Sequence, residues 1–386
     1  MRKIKRDITF IYSDSAEKSM YEPIAQEAQS RGYAIHFSNN KFEKCCIGFY
    51  CQHINYPENS RFSIILLHDI IQQYSNWPDI WYREPWDKYD IGILPSNQWE
   101  RNWLESSSMK YSRPKRGVYK VGWPKADVLD KIDISAYRRS FFSTHGLDSS
   151  KRTILYAPAW ENDGKQDDFV KAMQKLDVNM LIKQAPWDKE KYPEIFENCE
   201  KMAAKHKGLD RVCILPNETN IFEAIAVSDI LVSEESSTMC EAAILGIPAI
   251  SVSDWLIPDV TPSRLPKCDY DFVTMTYIKD LTEKTKEILE NYEYYRDRVN
   301  QFKADNFSNI GSSSRIIMDI IDGNLYGKEL HYSPLLPKGI KHLSAKEEIK
   351  RRVFQFKTKA VDKSSYIKRY KLAYEIYRKL FKRKGV

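Results

Sequence analysis

A stretch of hydroxyl and carboxylate side chains in the second half of the chain has the residue types of an anion-binding site. The apolar residues 230–232 predict a buried strand, and a short helix follows that ends at Gly246. Ser236, Ser237 and Thr238 stand where the loop becomes the helix. Free backbone N–H groups and the positive end of the helix dipole face outward at such a point, beside the hydroxyl donors. This arrangement predicts a site for phosphate.

Glu241 lies about one turn inside the same predicted helix. A carboxylate there could accept hydrogen bonds from two neighbouring hydroxyls, such as those of a ribose. Phosphate at the helix N-terminus and ribose one turn further in together describe a nucleotide. The alternative is that Ser236 is an ordinary N-cap and Glu241 is a solvated helix residue, because such caps are common.

His68 follows a run of buried-strand residues at 62–67 and is the candidate for proton transfer. In open parallel sheets the ligand crevice lies outside the carboxyl ends of the strands, which is where this histidine would stand. An imidazole can act as a general base near neutral pH. A structural histidine that is bound to a nearby loop carbonyl is the alternative interpretation.

The segment 121–127 forms a marked turn that contains Gly122, Lys125 and Asp127. Glycine and proline one residue apart indicate a tight turn, and Asp127 has the residue type to cap a helix that begins at Val128. We also treat Gly122, Lys125 and Asp127 as possible acceptor-site or cleft residues.

Alternating strand and helix patterns predict an α/β fold with two parallel sheets, each covered on both faces. Strand patterns in the first half run through residues 8–12, 33–37, 46–50, 62–67, 91–94 and 119–121. Those in the second half run through residues 153–156, 179–183, 211–215 and 230–232. No G-x-G-x-x-G or G-x-x-x-x-G-K-[ST] pattern occurs, which excludes the dinucleotide fingerprint and the P-loop.

Three segments follow from this pattern. We expect an N-terminal acceptor domain over 1–135, a C-terminal nucleotide-donor domain over 136–330 and a basic tail over 331–386. Residues 133–151 are polar and predict the connection between the domains. Beyond residue 254 the pattern is helical, with one helix predicted over 279–298 and another over 312–325. One of these two helices could cross back onto the first domain.

Composition suits a globular protein of 386 residues, of which 42% are hydrophobic and 13% aromatic. There is no apolar run of about 18 residues and no apolar signal core at the N-terminus, so we expect a cytoplasmic protein. The seven cysteines form no CxxC pair and have no companion histidine spacing. We therefore expect neither a metal site nor a cofactor.

Basic residues concentrate in 341–386, which contains 16 Lys or Arg and four acidic residues. Apolar and aromatic side chains recur every three or four residues over 366–381, with lysine and arginine between them. A basic amphipathic helix of this kind lies on an anionic membrane, where each cation near the surface contributes about 1 kcal/mol. Nucleic acid would attract the same charge, but no nucleic-acid-binding motif accompanies it. We expect an anionic membrane as the partner; a solvated terminal helix is the alternative.

Several of these features resemble, in order and spacing, the CDP-glycerol glycerophosphotransferases of teichoic acid and capsule synthesis. The resemblance covers about residues 60–255, and each motif is weak alone while the ordered set is specific. The set consists of His68 after a buried strand, Gly122-Trp-Pro-Lys-Ala-Asp127, Tyr156-Ala-Pro-Ala-Trp160, Lys183 at a strand end, and Ser233-Glu-Glu-Ser-Ser237 with Glu241.

The resemblance implies a GT-B architecture, in which two Rossmann-like domains face each other across a cleft. It implies that His68 deprotonates the acceptor hydroxyl and that Glu241, where the family carries Asp, binds the donor ribose. It also implies that Ser236 and Ser237 hold the donor phosphate and that Lys183 supports the pyrophosphate. Thr238 and Trp160 complete the expected donor-binding residues. The acceptor would be a saccharide linked to polyprenyl diphosphate at the cytoplasmic face of the membrane.

The chain departs from the family pattern at two positions. The family places a His-Pro pair after the strand lysine, where Gln184-Ala185-Pro186 stands here, and an Arg after the Ala-Pro-x-Trp turn, where Glu161 stands here. Both changes remove a positive charge near the donor phosphates. Three hypotheses therefore stay open: transfer of a polyol phosphate from a CDP-linked donor, transfer of a sugar from a nucleotide sugar, and a non-catalytic scaffold that binds polymer or a partner enzyme.

Overall fold

The first half of the chain forms a six-stranded parallel sheet. The computed structural model describes residues 4–52, 54–71, 84–162, 164–256, 271–340 and 342–369. The strands are β1 (Asp7–Ile11), β2 (Ala34–Ser38), β3 (Cys45–Tyr50), β4 (Ser60–Ile65), β5 (Ile91–Leu94) and β6 (Val118–Lys120). They lie in the order β2-β1-β3-β4-β5-β6, so the direction of chain progression reverses between β1 and β3. Every residue of β5 is buried, which explains the continuous apolar sequence of this inner strand.

The second half forms another six-stranded parallel sheet. Its strands are β7 (Thr153–Tyr156), β8 (Asn179–Ile182), β9 (Val212–Ile214), β10 (Ile230–Ser233), β11 (Ala249–Val252) and β12 (Val273–Thr276). Their order is β12-β11-β10-β7-β8-β9, with the reversal between β7 and β10. The predicted α/β fold with two parallel sheets is confirmed. The helical pattern predicted beyond residue 254 missed β12, because β12 is a short, partly exposed edge strand without an apolar run.

Three α-helices lie among the residues that the structure describes before position 150: α1 (Ser15–Ser30), α2 (Asn97–Ser106) and α3 (Ile134–His145). The carboxylate of Asp14 caps α1 by accepting a hydrogen bond from the backbone N–H of Glu17 at 3.0 Å. Helix α3 lies inside the segment that we predicted as a polar connection. The polar composition of this segment did not indicate the helix, which is capped by Asp133 at one end and by Gly146 at the other.

The second sheet is covered by short helices. They are α4 (Lys165–Met173), α5 (Pro193–His206), α6 (Ile221–Ala226), α7 (Thr238–Ile244), α8 (Leu281–Glu290) and α9 (Tyr292–Asn306). The single helix predicted over 279–298 is therefore wrong. The chain leaves helical geometry at Asn291 (φ −113°, ψ 34°), whose side-chain amide donates to the carbonyl of Glu287 at 2.9 Å. Such a side-chain bond competes with the helical backbone.

Helix α10 (Ser313–Tyr326) crosses back onto the first domain, as we predicted for one of the two C-terminal helices. Arg31, at the end of α1, contacts Asp319 at 2.7 Å and Asp322 at 3.2 Å. The hydroxyl of Tyr33 also donates to Asp322, at 2.6 Å. The apolar side chains of α10 complete the core of the first domain with five buried residues, which are Ile316, Ile317, Met318, Ile320 and Ile321.

Helix α11 (Ala345–Arg369) lies across the first domain and contacts it through polar side chains. Asp362 is ion-paired with Lys41 and accepts a hydrogen bond from the hydroxyl of Tyr56 at 3.0 Å. The guanidinium of Arg351 lies 4.9 Å from the ring centre of Tyr111. The helix thus docks by its polar face.

The opposite face of α11 is apolar and exposed. Ile349, Val353 and Phe356 are 64%, 47% and 76% exposed and follow each other at helical spacing, so we call them the outward stripe. The amphipathic repeat predicted over 366–381 lies mostly outside the described residues. Among the described residues, no helix is both long enough and apolar enough to span a bilayer.

Candidate active site

A cleft of about 580 Å³ lies at the carboxyl ends of both sheets. It is bordered by the loops after β1 and β4 in the first domain and by those after β7, β8, β9 and β10 in the second. This is the edge at which open parallel sheets bind ligands. The predicted site residues that line it are His68, Lys125, Lys183, Ser236, Ser237, Thr238 and Glu241. The sequence therefore located both walls of the cleft.

His68 lies on the first wall, and its side chain is one-third exposed. Its Nδ1 is 3.0 Å from the carbonyl oxygen of Cys51, and this bond fits the tautomer that carries a proton on Nδ1. Its Nε2 lies 3.5 Å from a carboxylate oxygen of Asp69. His68 is bound to a loop carbonyl, as the structural interpretation predicts, and it also lines the cleft, where its role as a base stays a prediction.

Carboxylates surround His68 and change its acidity. Desolvation lowers the pKa of His68, but the negative charges of Asp69 and Glu17 and the bond to Cys51 outweigh it and raise the pKa to about 9. The imidazole is therefore a cation in the ligand-free protein at neutral pH. It must lose that proton before it can accept another.

Glu17 is a site residue that the sequence did not indicate. It is buried, and its Oε1 lies 3.9 Å from Nδ1 of His68. Its Oε2 accepts the backbone N–H of Ser13 at 2.6 Å, while Gln52 donates to its Oε1. Burial raises the pKa of Glu17, and the neighbouring Asp14 adds to this rise. The pattern Asp14-x-x-Glu17 indicates only a helix cap, so its proximity to His68 emerges first in the structure.

Glu241 lies on the second wall and is only 2% exposed. Its Oε1 accepts the indole N–H of Trp123 at 3.1 Å and lies 3.0 Å from Nζ of Lys125. Its buried Oε2 has no hydrogen-bond partner among the residues that the structure describes. A buried carboxylate oxygen without a partner therefore lies in the wall of the cleft, and it has the acceptor chemistry that a ligand hydroxyl requires.

Lys183 is held at the end of β8 by two carbonyl groups. Its ammonium donates to the backbone oxygens of Gln184 and Asn217, each at 2.7 Å. Burial, together with the nearby charge of Lys125, lowers the pKa of Lys183 to about 8. It remains largely cationic at neutral pH and could hold an anionic ligand in the cleft.

The hydroxyl-rich loop precedes α7 as predicted. The hydroxyl of Ser236 accepts the backbone N–H of Thr238 at 3.3 Å, and Ser237 occupies the N-cap position without a side-chain capping bond. The hydroxyl of Thr238 donates to the carbonyl of Ala157 at 3.4 Å. The three residues therefore stand together beside the cleft, whereas the first N–H groups of α7 already donate to Ser236 and Ser237.

Trp160 lies behind the cleft rather than in its lining. Its ring stacks on Trp187, with 5.4 Å between ring centres and 12° between planes, and Trp187 itself lines the cleft. Trp187 also meets Tyr192 edge to face. Trp160 thus packs behind Trp187, which lines the cleft. The sequence analysis named Trp160 but not Trp187.

Gly122 and Asp127 do not line the cleft either. Asp127 accepts the backbone N–H groups of Ser313 and Ser314, at 2.9 and 2.6 Å, so it caps α10 and not a helix at Val128. Gly122 has a φ of 135°, and a Cβ there would lie 2.5 Å from the carbonyl oxygen of Ser308. The turn reaches the cleft through Lys125, while these two residues join the first domain to α10.

The two departures from the family pattern contact each other below the cleft. Glu161 is fully buried, and its Oε2 accepts hydrogen bonds from Tyr156 at 2.7 Å and from the amide of Gln184 at 2.8 Å. Burial raises the pKa of Glu161. Ala185, the next residue, lines the cleft. An uncharged methyl group therefore stands on the wall where the family pattern has an imidazole.

Two hydrogen bonds join the domains at the rim of the cleft. The hydroxyl of Ser15 donates to the carbonyl of Pro186 at 3.2 Å, and Nζ of Lys191 donates to the carbonyl of Ser13 at 2.6 Å. The loops after β1 and β8 thus touch in this conformation. Within the described ranges, no group of three His, Cys, Asp or Glu side chains is placed to hold a metal ion.

Two parallel-sheet domains face each other across a cleft, with a histidine on one wall and a lysine, a carboxylate and a hydroxyl-rich loop on the other, which is an architecture of the GT-B class. A family model described as CDP-glycerol:poly(glycerophosphate) glycerophosphotransferase matches residues 81–322. The chain belongs to this family.

Solved structures share the fold. The wall teichoic acid polymerase TagF, in a variant soaked with CDPG, matches with a TM-score of 0.57 and 16% identity over 83% of this chain and 89% of that one. UDP-GlcNAc 2-epimerase from Neisseria meningitidis, bound to UDP-GlcNAc, matches with a TM-score of 0.56 and 14% identity over 82% and 99%. At such identities the likeness concerns the fold alone. No functionally curated protein matches the chain.

Proposed function

We propose that the protein transfers glycerol phosphate, or a related polyol phosphate, from a CDP-linked donor to a lipid-linked acceptor in the synthesis of a surface polymer of the teichoic acid type. Membership of the glycerophosphotransferase family supports this proposal. The observation that carries it is the placement of His68 on one wall of a single cleft, opposite Glu241, Lys183 and the hydroxyl loop 236–238.

The reaction assigns one chemical task to each wall. An acceptor hydroxyl attacks the glycerol-bearing phosphorus of the donor, a new P–O bond forms there, and the P–O bond to CMP breaks. Nε2 of His68 takes the proton of the attacking hydroxyl. Because the pKa of His68 is about 9, only the deprotonated minority of the enzyme is competent at neutral pH. CMP leaves with the bonding electrons.

On the donor wall, Lys183 and the hydroxyls of residues 236–238 stabilise the charge on the departing nucleotide. Oε2 of Glu241 accepts hydrogen bonds from the ribose. Trp187, backed by Trp160, offers a flat aromatic face for the base. The proposal assigns the leaving-group charge to these protein groups and requires neither a metal ion nor a cofactor.

We place the enzyme at the inner face of the cell membrane through its C-terminal segment. The outward stripe of α11 exposes apolar side chains, and basic residues such as Lys346 and Arg352 flank it on the same helix. Apolar side chains within a basic helix suit an anionic bilayer. Binding to anionic vesicles should weaken with salt and with Phe356→Ser, while equal binding to neutral vesicles would contradict the electrostatic part of this proposal.

The decisive assay incubates the full-length chain with CDP-glycerol and a synthetic lipid-linked disaccharide acceptor. The expected product is heavier by one glycerol phosphate, with one CMP released for each transfer. Absence of product with CDP-glycerol and with CDP-ribitol would contradict the proposal. A thermal-shift titration with cytidine and uridine nucleotides separates donor choice from acceptor choice, because a ligand that binds the folded state raises the melting temperature.

A nucleotide sugar is the second candidate donor. Ala185 and Glu161 favour it, because they leave the cleft without two cations of the family pattern. Selective stabilisation by uridine nucleotides and a product heavier by one sugar would support this alternative. A chain that no nucleotide stabilises would instead fit the non-catalytic scaffold.

A further inference from the structure

A second groove lies on the first domain, between α11 and the loops after β1 and β3. Its volume is about 620 Å³. Its floor is formed by domain residues that include Ser13, Gln52 and Asn55. Its outer side is formed by α11, where Phe354 and Lys357 contribute to the lining. The groove is thus roofed by the helix whose outward stripe we place on the membrane.

The floor of this groove is hydrogen-bonded to Glu17, whose carboxylate lies at ion-pair distance from His68. The backbone N–H of Ser13 and the amide of Gln52 both donate to Glu17. Glu17 in turn lies 3.9 Å from Nδ1 of His68. A molecule in the groove therefore lies one buried carboxylate away from the histidine that faces the cleft. Glu17 therefore contacts the floor of the groove through Ser13 and Gln52 and faces the cleft through His68.

The lining has the chemistry of a ligand that is part apolar and part anionic. Ile11, Ile54 and Phe354 supply apolar surface, and Asn55 supplies an amide. The negative charge of Asp362 is neutralised by its ion pair with Lys41. Lys357 therefore adds a positive charge to a lining whose acidic group is already paired.

We propose that this groove binds the acceptor, with the phosphate next to the reacting polyol hydroxyl beside Lys357 and the chain end directed toward His68. The proposal rests on the proposed function and names the acceptor path within it. The lipid portion would then stay at the outward stripe, on the far side of the same helix. The occupant is the anionic polyol-phosphate end of the lipid-linked acceptor.

Charge reversal at two lysines of α11 tests this assignment. Lys357 lines the groove, whereas Lys350 lies seven residues earlier on nearly the same helix face and is absent from the lining. The probe is a detergent-dispersed, short-chain lipid diphosphate disaccharide that carries one glycerol phosphate, so membrane binding does not limit the rate. We expect Lys357→Glu to raise the KM for this acceptor about tenfold, with a smaller rise for Lys357→Gln.

The matched variant Lys350→Glu should leave the acceptor KM within about twofold of the unmodified chain, because exposed charges away from a site have little effect. Both variants should keep the thermal stabilisation by CDP-glycerol, which shows that they fold and bind donor. Equal KM values for Lys357→Glu and Lys350→Glu would overturn the groove assignment. If the unmodified chain transfers nothing from CDP-glycerol, the proposed function itself fails, which is a different result.

Discussion

The two walls of the cleft are built alike and charged differently. Each is the carboxyl edge of a six-stranded parallel sheet with one reversal of strand order. The first wall places an imidazole among carboxylates, which raise the pKa of His68 to about 9. The second places Lys183 in a buried position, which lowers its pKa to about 8. The shared topology places both groups at the cleft, and their surroundings shift the two pKa values in opposite directions. This difference fits the proton transfer and the anion binding that we propose for the two walls.

Removal of the imidazole should have the largest effect. We expect His68→Ala to lower kcat by about 10²–10⁴-fold, because a positioned general base contributes that much. Stabilisation by the donor should stay unchanged, since the donor binds the other wall. The exposed His331 provides a control, and His331→Ala should change neither quantity. Unchanged turnover in His68→Ala would remove this residue from the mechanism.

Glu241→Gln should affect the donor wall. The substitution weakens a charged acceptor for ribose hydroxyls and removes the partner of Lys125, so we expect the donor KM to rise about 10- to 100-fold. Acceptor KM should stay near its original value. Glu283→Gln, at an exposed position on α8, is the matched control. A change in the acceptor KM alone would contradict the assignment of Glu241 to donor binding.

Glu17→Gln should shift a pH profile. In the free enzyme kcat/KM should rise about tenfold per pH unit up to about pH 9, as His68 loses its proton. Loss of the negative charge of Glu17 destabilises the imidazolium, so the rising limb should move to lower pH by about one unit. Glu27→Gln on the same helix should leave the profile in place. A limb that moves upward would contradict the charge assignment.

Ala185→His should have the smallest effect. It restores the family's imidazole on the donor wall, and one added, partly exposed charge should lower the donor KM about two- to fivefold. Ala185→Phe supplies bulk without charge and should not tighten binding. Tighter binding by both variants would indicate stacking or packing instead of phosphate recognition.

Local pattern predicted most strands and the residues that follow them, because strand alternation and chain direction place loop residues at a common edge. His68, Lys183 and Glu241 therefore converge in the structure. Glu17 was missed because it occupies a capping position that most helices would fill for local reasons. Gly122 and Asp127 were misplaced because their partners lie in α10 and in the loop just before it, far along the chain.

The periodicity of apolar residues also does not predict whether the apolar face of a helix is buried or exposed. Helices α10 and α11 both have an apolar face, yet α10 buries its isoleucines in the first domain while α11 docks by polar side chains and exposes its outward stripe. The difference depends on charged partners such as Lys41 for Asp362, which are distant in sequence. The spacing of apolar residues identifies the apolar face of a helix but not what covers that face.

The return of α10 to the first domain also sets an order of events during synthesis. The first sheet leaves the ribosome early, but the isoleucines that complete its core emerge only with residues 313–326. The second sheet is complete once β12 has been made. Domains fold as units, so we expect the second domain to close first and the first domain, although made earlier, to mature last. A nascent chain that stops before Ser313 would therefore pair a finished second domain with an unfinished first one.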